Sequence, residues 1–314
     1  MSGQPTPNFF IAGAPKAGTD ALYCSLREHP QIYMSPIKEP NYFASEICAG
    51  NFEAGLQPRM REVERSTKEY LAGDMAQLRF GGLVADWNDY LKLFSGAGSE
   101  LAIGEGSVCY LWSQTAAAAI ASRIPGARII IVLMDPAERA FHQYLKSVSD
   151  GTVRHSFQSH LDRAFDNSGS AFGVYHPFLA FGKYTAQVRR YMTEFPVEQL
   201  SITLYEEMKD DHALWFANIL NFLGVDDNFV PHATAAESRR SIPRFRSLPL
   251  RGAQKIAGAL LPKGIRSVAK KLVYREAHSL QLGPQERARL VEYYRPDILE
   301  LQALIGRDLS GWLA

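Results

Sequence analysis

A short apolar run that turns into a loop of small residues constrains the fold of this chain more than any other stretch. Residues 9–20 read F-F-I-A-G-A-P-K-A-G-T-D. Small side chains let the backbone bend tightly and bring its N–H groups close to a ligand, and five positions carry them: Ala12, Gly13, Ala14, Ala17 and Gly18. A helix that begins near Asp20 would direct the positive end of its dipole to the same point. The stretch predicts a strand, an anion-binding loop and a helix start, with an ordinary strand-to-helix turn as the alternative.

Strands alternate with helices along the rest of the chain. Residues 129–134 are continuously apolar and mostly β-branched, which is typical of a central strand buried on both faces of a parallel sheet. Further strands are predicted at 31–34, 101–104 and 200–204. Helices are predicted at 21–28, 87–94, 115–124, 137–147, 182–195, 213–223 and 251–274, and at 284–304 as a pair broken at Pro296.

This alternation predicts an α/β fold with a central parallel sheet flanked by helices in three layers, similar to P-loop proteins, and a helical C-terminal portion. Ligands of such sheets bind outside the carboxyl ends of the strands, so the Gly13 loop and Asp135 should be neighbours. The chain has 314 residues, of which 46% are hydrophobic, and this favours one domain over residues 1–314. Residues 45–80 form the least patterned region, predicted as a variable excursion with one helix near 67–72.

Charge is distributed unevenly. Residues 239–275 hold eleven of the 34 basic residues and no acid, a composition that suits phosphates, acidic glycans or a membrane surface. A solvated pair of helices is the alternative. No nucleic-acid partner is expected, peripheral membrane contact stays possible, and the oligomeric state is open.

The sequence also bears on the cellular compartment of the protein and on metal binding. No apolar run reaches the roughly 18 residues of a membrane span, and the first residues lack the charged start and apolar core of a signal peptide, so a cytoplasmic location is expected. Cys24, Cys48 and Cys109 are widely spaced without a C-x-x-C motif. They indicate neither a disulfide framework nor a metal site.

A magnesium-dependent nucleotide kinase or NTPase is one candidate for the loop. Gly13 and Gly18 have the spacing of the motif G-x-x-x-x-G-K-[ST], and Asp135 follows an apolar strand as an acidic metal partner would. However, Thr19 and Asp20 stand where lysine and a hydroxyl residue should follow, and the loop's lysine is Lys16. The motif is therefore matched only in part, and the kinase or NTPase hypothesis stays open.

The order P-K-A-G-T resembles the 5′-phosphosulfate loop of sulfotransferases that use 3′-phosphoadenosine 5′-phosphosulfate (PAPS), and later segments match in sequence order. Residues 38–43, K-E-P-N-Y-F, resemble the segment that supplies the catalytic base in the glycan and bacterial branches. Residues 105–111 resemble the glutamate-serine-tyrosine segment of the site, and residues 129–144 the strand and helix at the 3′-phosphate. The remaining matches are Tyr205-Glu206, Phe222-Leu223-Gly224, Pro243-Arg244 and Gly311-Trp312. The resemblance spans nearly the whole chain.

The resemblance implies transfer of a sulfonyl group from PAPS to a hydroxyl or amine of a glycan, glycolipid or small natural product, without a metal. Glu39 would be the general base, and Lys16 would stabilise the charge that develops on the sulfonyl and phosphate oxygens. Lys38, Glu105 and Ser107 would orient the acceptor or the base. The donor would be bound by Asp135, His142 and the loop residues Ala14, Pro15, Lys16, Ala17, Gly18, Thr19 and Asp20.

Three residues depart from the family pattern. Asp20 replaces a hydroxyl residue; its carboxylate could cap the helix, but its charge beside a phosphosulfate is unfavourable unless Lys16 screens it. Met134 stands where many members have an arginine, and His142 stands where a serine usually contacts the 3′-phosphate. The missing arginine could be supplied by Arg239, Arg240 or Arg244, since a guanidinium binds phosphate wherever the fold delivers it. The departures leave a noncatalytic nucleotide-binding protein as a further alternative.

Overall fold

The computed structural model describes residues 5–232 and 281–314, together with the backbone of two short strands between them. The strands are β1 (Phe9–Ile11), β2 (Ile32–Met34), β3 (Ile37–Lys38), β4 (Arg79–Phe80), β5 (Ala102–Gly106), β6 (Arg128–Leu133), β7 (Leu200–Leu204), β8 (Ser241–Pro243) and β9 (Tyr274–Glu276). The helices are α1 (Thr19–Arg27), α2 (Gln57–Leu71), α3 (Trp87–Lys92), α4 (Cys109–Trp112), α5 (Ala116–Arg123), α6 (Pro136–Ser149), α7 (Phe157–Phe165), α8 (Tyr184–Glu194), α9 (Tyr205–Asp210), α10 (His212–Leu223) and α11 (Pro284–Ile305). Short 3-10 turns lie at Ala49–Asn51, Ala180–Gly182, Val197–Gln199 and Ser310–Leu313.

Five parallel strands form the central sheet in the order β2-β5-β1-β6-β7. In chain order, β2 and β5 are added on one side of β1, and β6 and β7 are then added on its other side. This change of direction at β1 leaves a crevice above the carboxyl ends of the strands, where open α/β sheets bind ligands. The predicted parallel α/β fold with flanking helices is confirmed.

The core lies around β6, which is fully buried from Ile129 to Leu133, as expected for a strand covered on both faces. Helix α11 packs against α6 and α8 and so joins the C-terminal part to the sheet domain. Residues 284–304 were predicted as two helices broken at Pro296, but α11 is one helix with this proline inside it. Buried side chains on both sides of the proline, Tyr294 and Ile298, hold the two halves in line.

The segment around Gly104 also differs from the prediction. The sequence predicted a strand that ends at this glycine, whereas β5 continues to Gly106. A Cβ at Gly104 would lie 2.3 Å from the Phe9 ring. The glycine therefore permits close packing of β1 against β5 and does not mark a turn.

The excursion at residues 45–80 contains a longer helix than predicted, since α2 starts at Gln57. Much of α2 is solvated, and Arg65 forms ion pairs with Glu62 at 2.6 Å and Glu69 at 2.5 Å. Only four of its fifteen residues are apolar, so the stripe that faces the protein is narrow and was not recognised in the sequence. Helix α7 was not predicted at all.

Several sequence predictions concern residues that the structure does not describe. The predicted basic helix at 251–274 and the side chains of Arg239, Arg240 and Arg244 lie outside the described residues. No helix in the described part of the chain has both the length and the apolar character needed to cross a bilayer.

Candidate active site

A cleft of about 1160 Å³ opens above the carboxyl ends of β1, β6 and β7. The loop between β1 and α1 forms its floor through Pro15 to Asp20, and Asp135 at the start of α6 lies on one side. The predicted proximity of the Gly13 loop and Asp135 is therefore confirmed. Glu39, which follows β3, lines the same cleft.

Backbone hydrogen bonds to β6 position the first half of the loop. The N–H of Ala12 donates to the carbonyl of Ile130 and that of Ala14 to the carbonyl of Val132, both at 2.8 Å. A Cβ at Gly13 would lie 2.6 Å from the Thr19 Cγ2 methyl. A larger residue at Gly13 would therefore push the loop away from the helix start.

The second half of the loop turns into α1 through a left-handed glycine. Gly18 has φ +83° and serves as the N-cap of α1, with no side chain capping the helix. Lys16 also has a positive φ, +76°, and lines the cleft. The N–H groups in the first turn of a helix have no partner within the helix and favour an anion. The loop therefore offers an anion site with a lysine beside it.

Asp20 forms an ion pair instead of capping α1. The Nζ of Lys38 lies 2.9 Å from the Asp20 carboxylate and 2.9 Å from that of Glu39. Only 1% of the Lys38 side chain is exposed, against 45% for Asp20 and 32% for Glu39. The possible cap at Asp20 is thus not formed, because Gly18 occupies the cap position and the buried Lys38 ammonium pairs with the carboxylate.

Lys38 remains charged in this environment. Burial by itself would lower the pKa of Lys38, but the charges of Glu39 and Asp20 outweigh burial and raise it above its ordinary value. The lysine joins the first turn of α1 to the segment after β3. It therefore fixes Glu39 relative to the phosphate loop.

The backbone at Glu39 has an unusual conformation. Glu39 has φ +66° and Asn41 has φ +61°, values that non-glycine residues rarely adopt. Hydrogen bonds hold the turn: the Glu39 N–H donates to Gly106 at 2.8 Å, and the Glu39 carbonyl accepts from the Gly82 N–H at 2.9 Å and the Asn41 side chain at 3.0 Å. Such strain persists only where surrounding contacts determine it, and it is common at functional sites.

Glu105 lies beneath this turn in a network of hydroxyl groups. Its carboxylate accepts hydrogen bonds from Tyr110 at 2.6 Å, Ser107 at 2.9 Å and Tyr90 at 3.2 Å. Burial raises the pKa of Glu105 to about 7, although the hydroxyl donors and the Lys38 charge oppose the shift. The Ser107 hydroxyl also accepts from the Asn41 N–H at 3.2 Å, so the network supports the turn that carries Glu39.

The three residues predicted to orient the acceptor or the base lie below the cleft surface. Glu105 and Ser107 have no exposed surface, Lys38 has 1%, and none of them lines the cleft. Their contacts go to the Glu39 turn and to the first turn of α1. They support the Glu39 turn from beneath and do not reach the cleft surface.

On the opposite side, the start of α6 is organised by Asp135. One carboxylate oxygen accepts from the N–H groups of Ala137 at 2.8 Å and Glu138 at 3.4 Å, which caps the helix. The other lies 3.0 Å from Nη1 of Arg287, from the first turn of α11. His142 lines the cleft, with its Nε2 3.7 Å from Glu138. The carboxylate of Asp135 is thus used to position a cation.

Arg287 is a cleft residue that sequence reasoning missed. It lines the cleft with 24% of its side chain exposed. Met134, at the family's arginine position, is 3% exposed, and Arg139 is completely buried with its guanidinium bonded to the Phe178 carbonyl at 2.7 Å. Arg287 therefore supplies the guanidinium that Met134, at the family's arginine position, does not provide on this side of the cleft. Nothing in the sequence distinguished it from other arginines of an amphipathic helix.

Two further cleft residues come from the excursion and were also missed. Phe80 at the end of β4 is 57% exposed, and Arg59 in the first turn of α2 is exposed. Both line the cleft together with Glu39. The sequence predicted only that this excursion is variable, and it did not single out these two positions.

Comparison with known proteins agrees with these features. A model of the sulfotransferase family matches residues 7–229. A solved sulfotransferase structure from Alicyclobacillus acidocaldarius superposes with a TM-score of 0.71 at 28% sequence identity, covering 99% of this chain and 100% of that one.

Curated relatives point the same way. The bifunctional heparan sulfate N-deacetylase/N-sulfotransferase 4 of Mus musculus is 25% identical over 98% of this chain and 31% of its own length. Carbohydrate sulfotransferase 15 of Mus musculus is 25% identical over 77% of this chain and 48% of its own length. The chain thus spans about a third to a half of these relatives. The family match covers the loop between β1 and α1, the Glu39 turn and α6, and the chain belongs to the sulfotransferase family.

Proposed function

We propose that this chain transfers a sulfonyl group from PAPS to a hydroxyl or amine of a glycan, with Glu39 as the general base. The observation that carries the proposal is the placement of Glu39 in the same cleft as the phosphate loop, fixed there by Lys38. The family supports the class of reaction, and the curated relatives include proteins named for heparan sulfate and carbohydrate.

The residues present fit the donor. The anionic phosphosulfate would lie on the loop between β1 and α1, where close backbone packing at Gly13 and the left-handed Gly18 leave N–H groups and Lys16 facing the cleft. The 3′-phosphate would be bound by Arg287, with His142 beside it. Arg239, Arg240 and Arg244 remain further candidates for this phosphate.

Bound PAPS supplies the sulfonyl group: a bond forms between its sulfur and the acceptor atom while the bond between sulfur and the 5′-phosphate oxygen breaks. Glu39 takes the proton of the acceptor, a contribution that typically accelerates a reaction about 10²–10⁴-fold. Lys16 and the loop N–H groups stabilise the negative charge on the departing phosphate. Lys38 holds Glu39 in place and, through Asp20, ties it to the loop.

The proposal is tested by binding and transfer measured on the same preparation. We expect 3′-phosphoadenosine 5′-phosphate (PAP) to raise the Tm and magnesium-ATP to leave it unchanged. Radioactive sulfate from [³⁵S]PAPS should appear on a glycan acceptor. Stabilisation by magnesium-ATP without stabilisation by PAP would instead support a kinase or NTPase, and PAP binding without transfer to any acceptor would support a noncatalytic protein.

A further inference from the structure

The side of the cleft next to Glu39 carries an exposed aromatic ring and an exposed cation whose roles the transfer chemistry does not explain. We propose that Phe80 and Arg59 form an acceptor subsite for an anionic sugar chain, with a sugar ring stacked on Phe80 and its carboxylate or sulfate bound by Arg59. This inference rests on the proposed function and specifies the acceptor of the same site.

Phe80 is held beside the proposed base by backbone pairing. In the parallel pair of β3 and β4, Phe80 lies opposite Lys38, the residue before Glu39, and paired strands are about 4.8 Å apart. The N–H of Gly81 donates to the Lys38 carbonyl at 2.8 Å, and that of Gly82 donates to the Glu39 carbonyl at 2.9 Å. The backbone of Phe80 is therefore fixed beside the turn that carries Glu39.

Arg59 is attached to the same framework through α2. The guanidinium of Arg79 on β4 donates to the Ser66 carbonyl at 2.7 Å and to the Ser66 hydroxyl at 2.8 Å, and the N–H of Leu83 donates to the Thr67 hydroxyl at 3.3 Å. These bonds join α2 to β4 and to the segment after it. The start of α2, where Arg59 lines the cleft, is thus positioned relative to Phe80.

The charges on this side favour an anion. Asp20 and Glu39 are both paired with Lys38. Arg59 has no ion-pair or hydrogen-bond partner among the residues that the structure describes. A guanidinium binds carboxylates and sulfates bidentately.

Phe80 complements that cation. An aromatic ring offers a large rigid contact surface to the apolar C–H face of a sugar. More than half of the Phe80 side chain is exposed, at 57%, and it faces the same cleft as Arg59 and Glu39. A sugar that carries an acidic group meets both residues at once, whereas a neutral or cationic acceptor leaves Arg59 without a partner.

The experiment uses the full chain with two polymers. De-N-acetylated heparosan alternates a hexuronate with glucosamine and offers both hydroxyls and amines, and its carboxyl-reduced form lacks the anionic groups. The variants are Arg59→Ala, Phe80→Ala and Phe80→Trp. Arg61→Ala is the matched control, because Arg61 is exposed on the same helix but does not line the cleft. Initial rates with [³⁵S]PAPS give KM for polymer and for PAPS, and calorimetry gives Kd for PAP.

We expect Arg59→Ala and Phe80→Ala each to raise the KM for heparosan polymer about tenfold or more, as loss of a charged hydrogen bond or a stacked ring predicts. The KM for PAPS, the Kd for PAP and the Tm should stay unchanged, Phe80→Trp should retain binding, and Arg61→Ala should resemble the wild type. On the carboxyl-reduced polymer, Arg59→Ala should have no effect.

Unchanged polymer KM in both alanine variants would overturn the subsite, as would equal use of the two polymers by the wild type. PAP binding without transfer to either polymer would overturn the acceptor class while leaving the donor site of the proposed function intact. Absence of PAP binding by the wild type would instead refute the proposed function itself.

Discussion

The two sides of the cleft are built differently. On the donor side, the loop after β1 is fixed by hydrogen bonds to β6 and by tight packing of Gly13 on Thr19, and Asp135 positions Arg287. On the acceptor side, Glu39 lies in a strained turn supported by Lys38 and the Glu105 network. The loop on the proposed donor side thus depends on the regular sheet, whereas Arg287 and the proposed acceptor side depend on side-chain contacts that a substitution can remove individually.

Replacing the proposed base should separate the two sides most strongly. We expect Glu39→Gln to lower turnover about 10²–10⁴-fold, because the acceptor proton loses its recipient, while Kd for PAP stays within about twofold of the wild type, since the donor contacts named above lie on other segments. Transfer from [³⁵S]PAPS and calorimetry with PAP measure the two quantities. Glu62→Gln, on the solvated face of α2, is the matched control, and a near-normal rate for Glu39→Gln would contradict the assignment.

Removing the lysine of the phosphate loop should affect binding and chemistry together. Lys16→Ala is expected to lower turnover about 10²–10³-fold, a loss typical of one donor to a developing oxyanion, and also to raise KM for PAPS. Lys92→Ala, an exposed lysine paired with Asp89, is the control. Unchanged PAPS kinetics would show that the loop does not hold the phosphosulfate.

Replacing Arg287 tests the proposed binding of the 3′-phosphate, away from the reacting atoms. We expect Arg287→Ala to raise Kd for PAP about tenfold or more, as the loss of a charged hydrogen bond predicts, and to leave Kd for 5′-AMP, which lacks the 3′-phosphate, nearly unchanged. Arg295→Ala, an exposed position on the same helix, should bind both nucleotides normally. Equal weakening of both would assign Arg287 to folding of the α6 start and not to the 3′-phosphate.

The smallest effect is expected from the buried carboxyl under the Glu39 turn. The pKa of Glu105 is raised to about 7 in the folded protein, so the proton that it holds stabilises the fold below about pH 4.5, and this contribution is lost as the pH rises through 7. Glu105→Gln stays neutral throughout. We expect the Tm of the wild type minus that of the variant to fall by a few degrees between pH 5 and pH 8; a constant difference would contradict the raised pKa.

The sequence predicted the parts of the site that follow from local pattern. The loop with Lys16 and the segment with Glu39 were both identified, because small residues after a strand and a motif with a fixed order leave a signal in one stretch. The ion pair of Asp20 with Lys38 was not predicted, since only the folded chain brings Lys38 beneath α1. Arg287 was missed because its contact with Asp135 spans 152 residues, and no pattern in an amphipathic helix encodes it.

Arg59 and Phe80 show the same limit on the acceptor side. The excursion was recognised by its lack of pattern, but the apolar stripe of α2 is narrow, since only Met60, Val63, Tyr70 and Leu71 are apolar among its fifteen residues. Its position depends on the bonds from Arg79 and Leu83 to Ser66 and Thr67. Tertiary contacts of this kind are specified by the fold and not by local propensity.

The pairing of β3 with β4 has a consequence for how acceptor choice can change in evolution. Because Lys38 lies directly opposite Phe80, the intervening segment leaves and re-enters the domain at adjacent points. A segment of different length or composition can be exchanged between Ala44 and β4, which leaves the Glu39 turn and the strands of the central sheet in place. Transplanting the corresponding segment from a relative is therefore a route to new acceptor specificity that keeps Glu39, the proposed base.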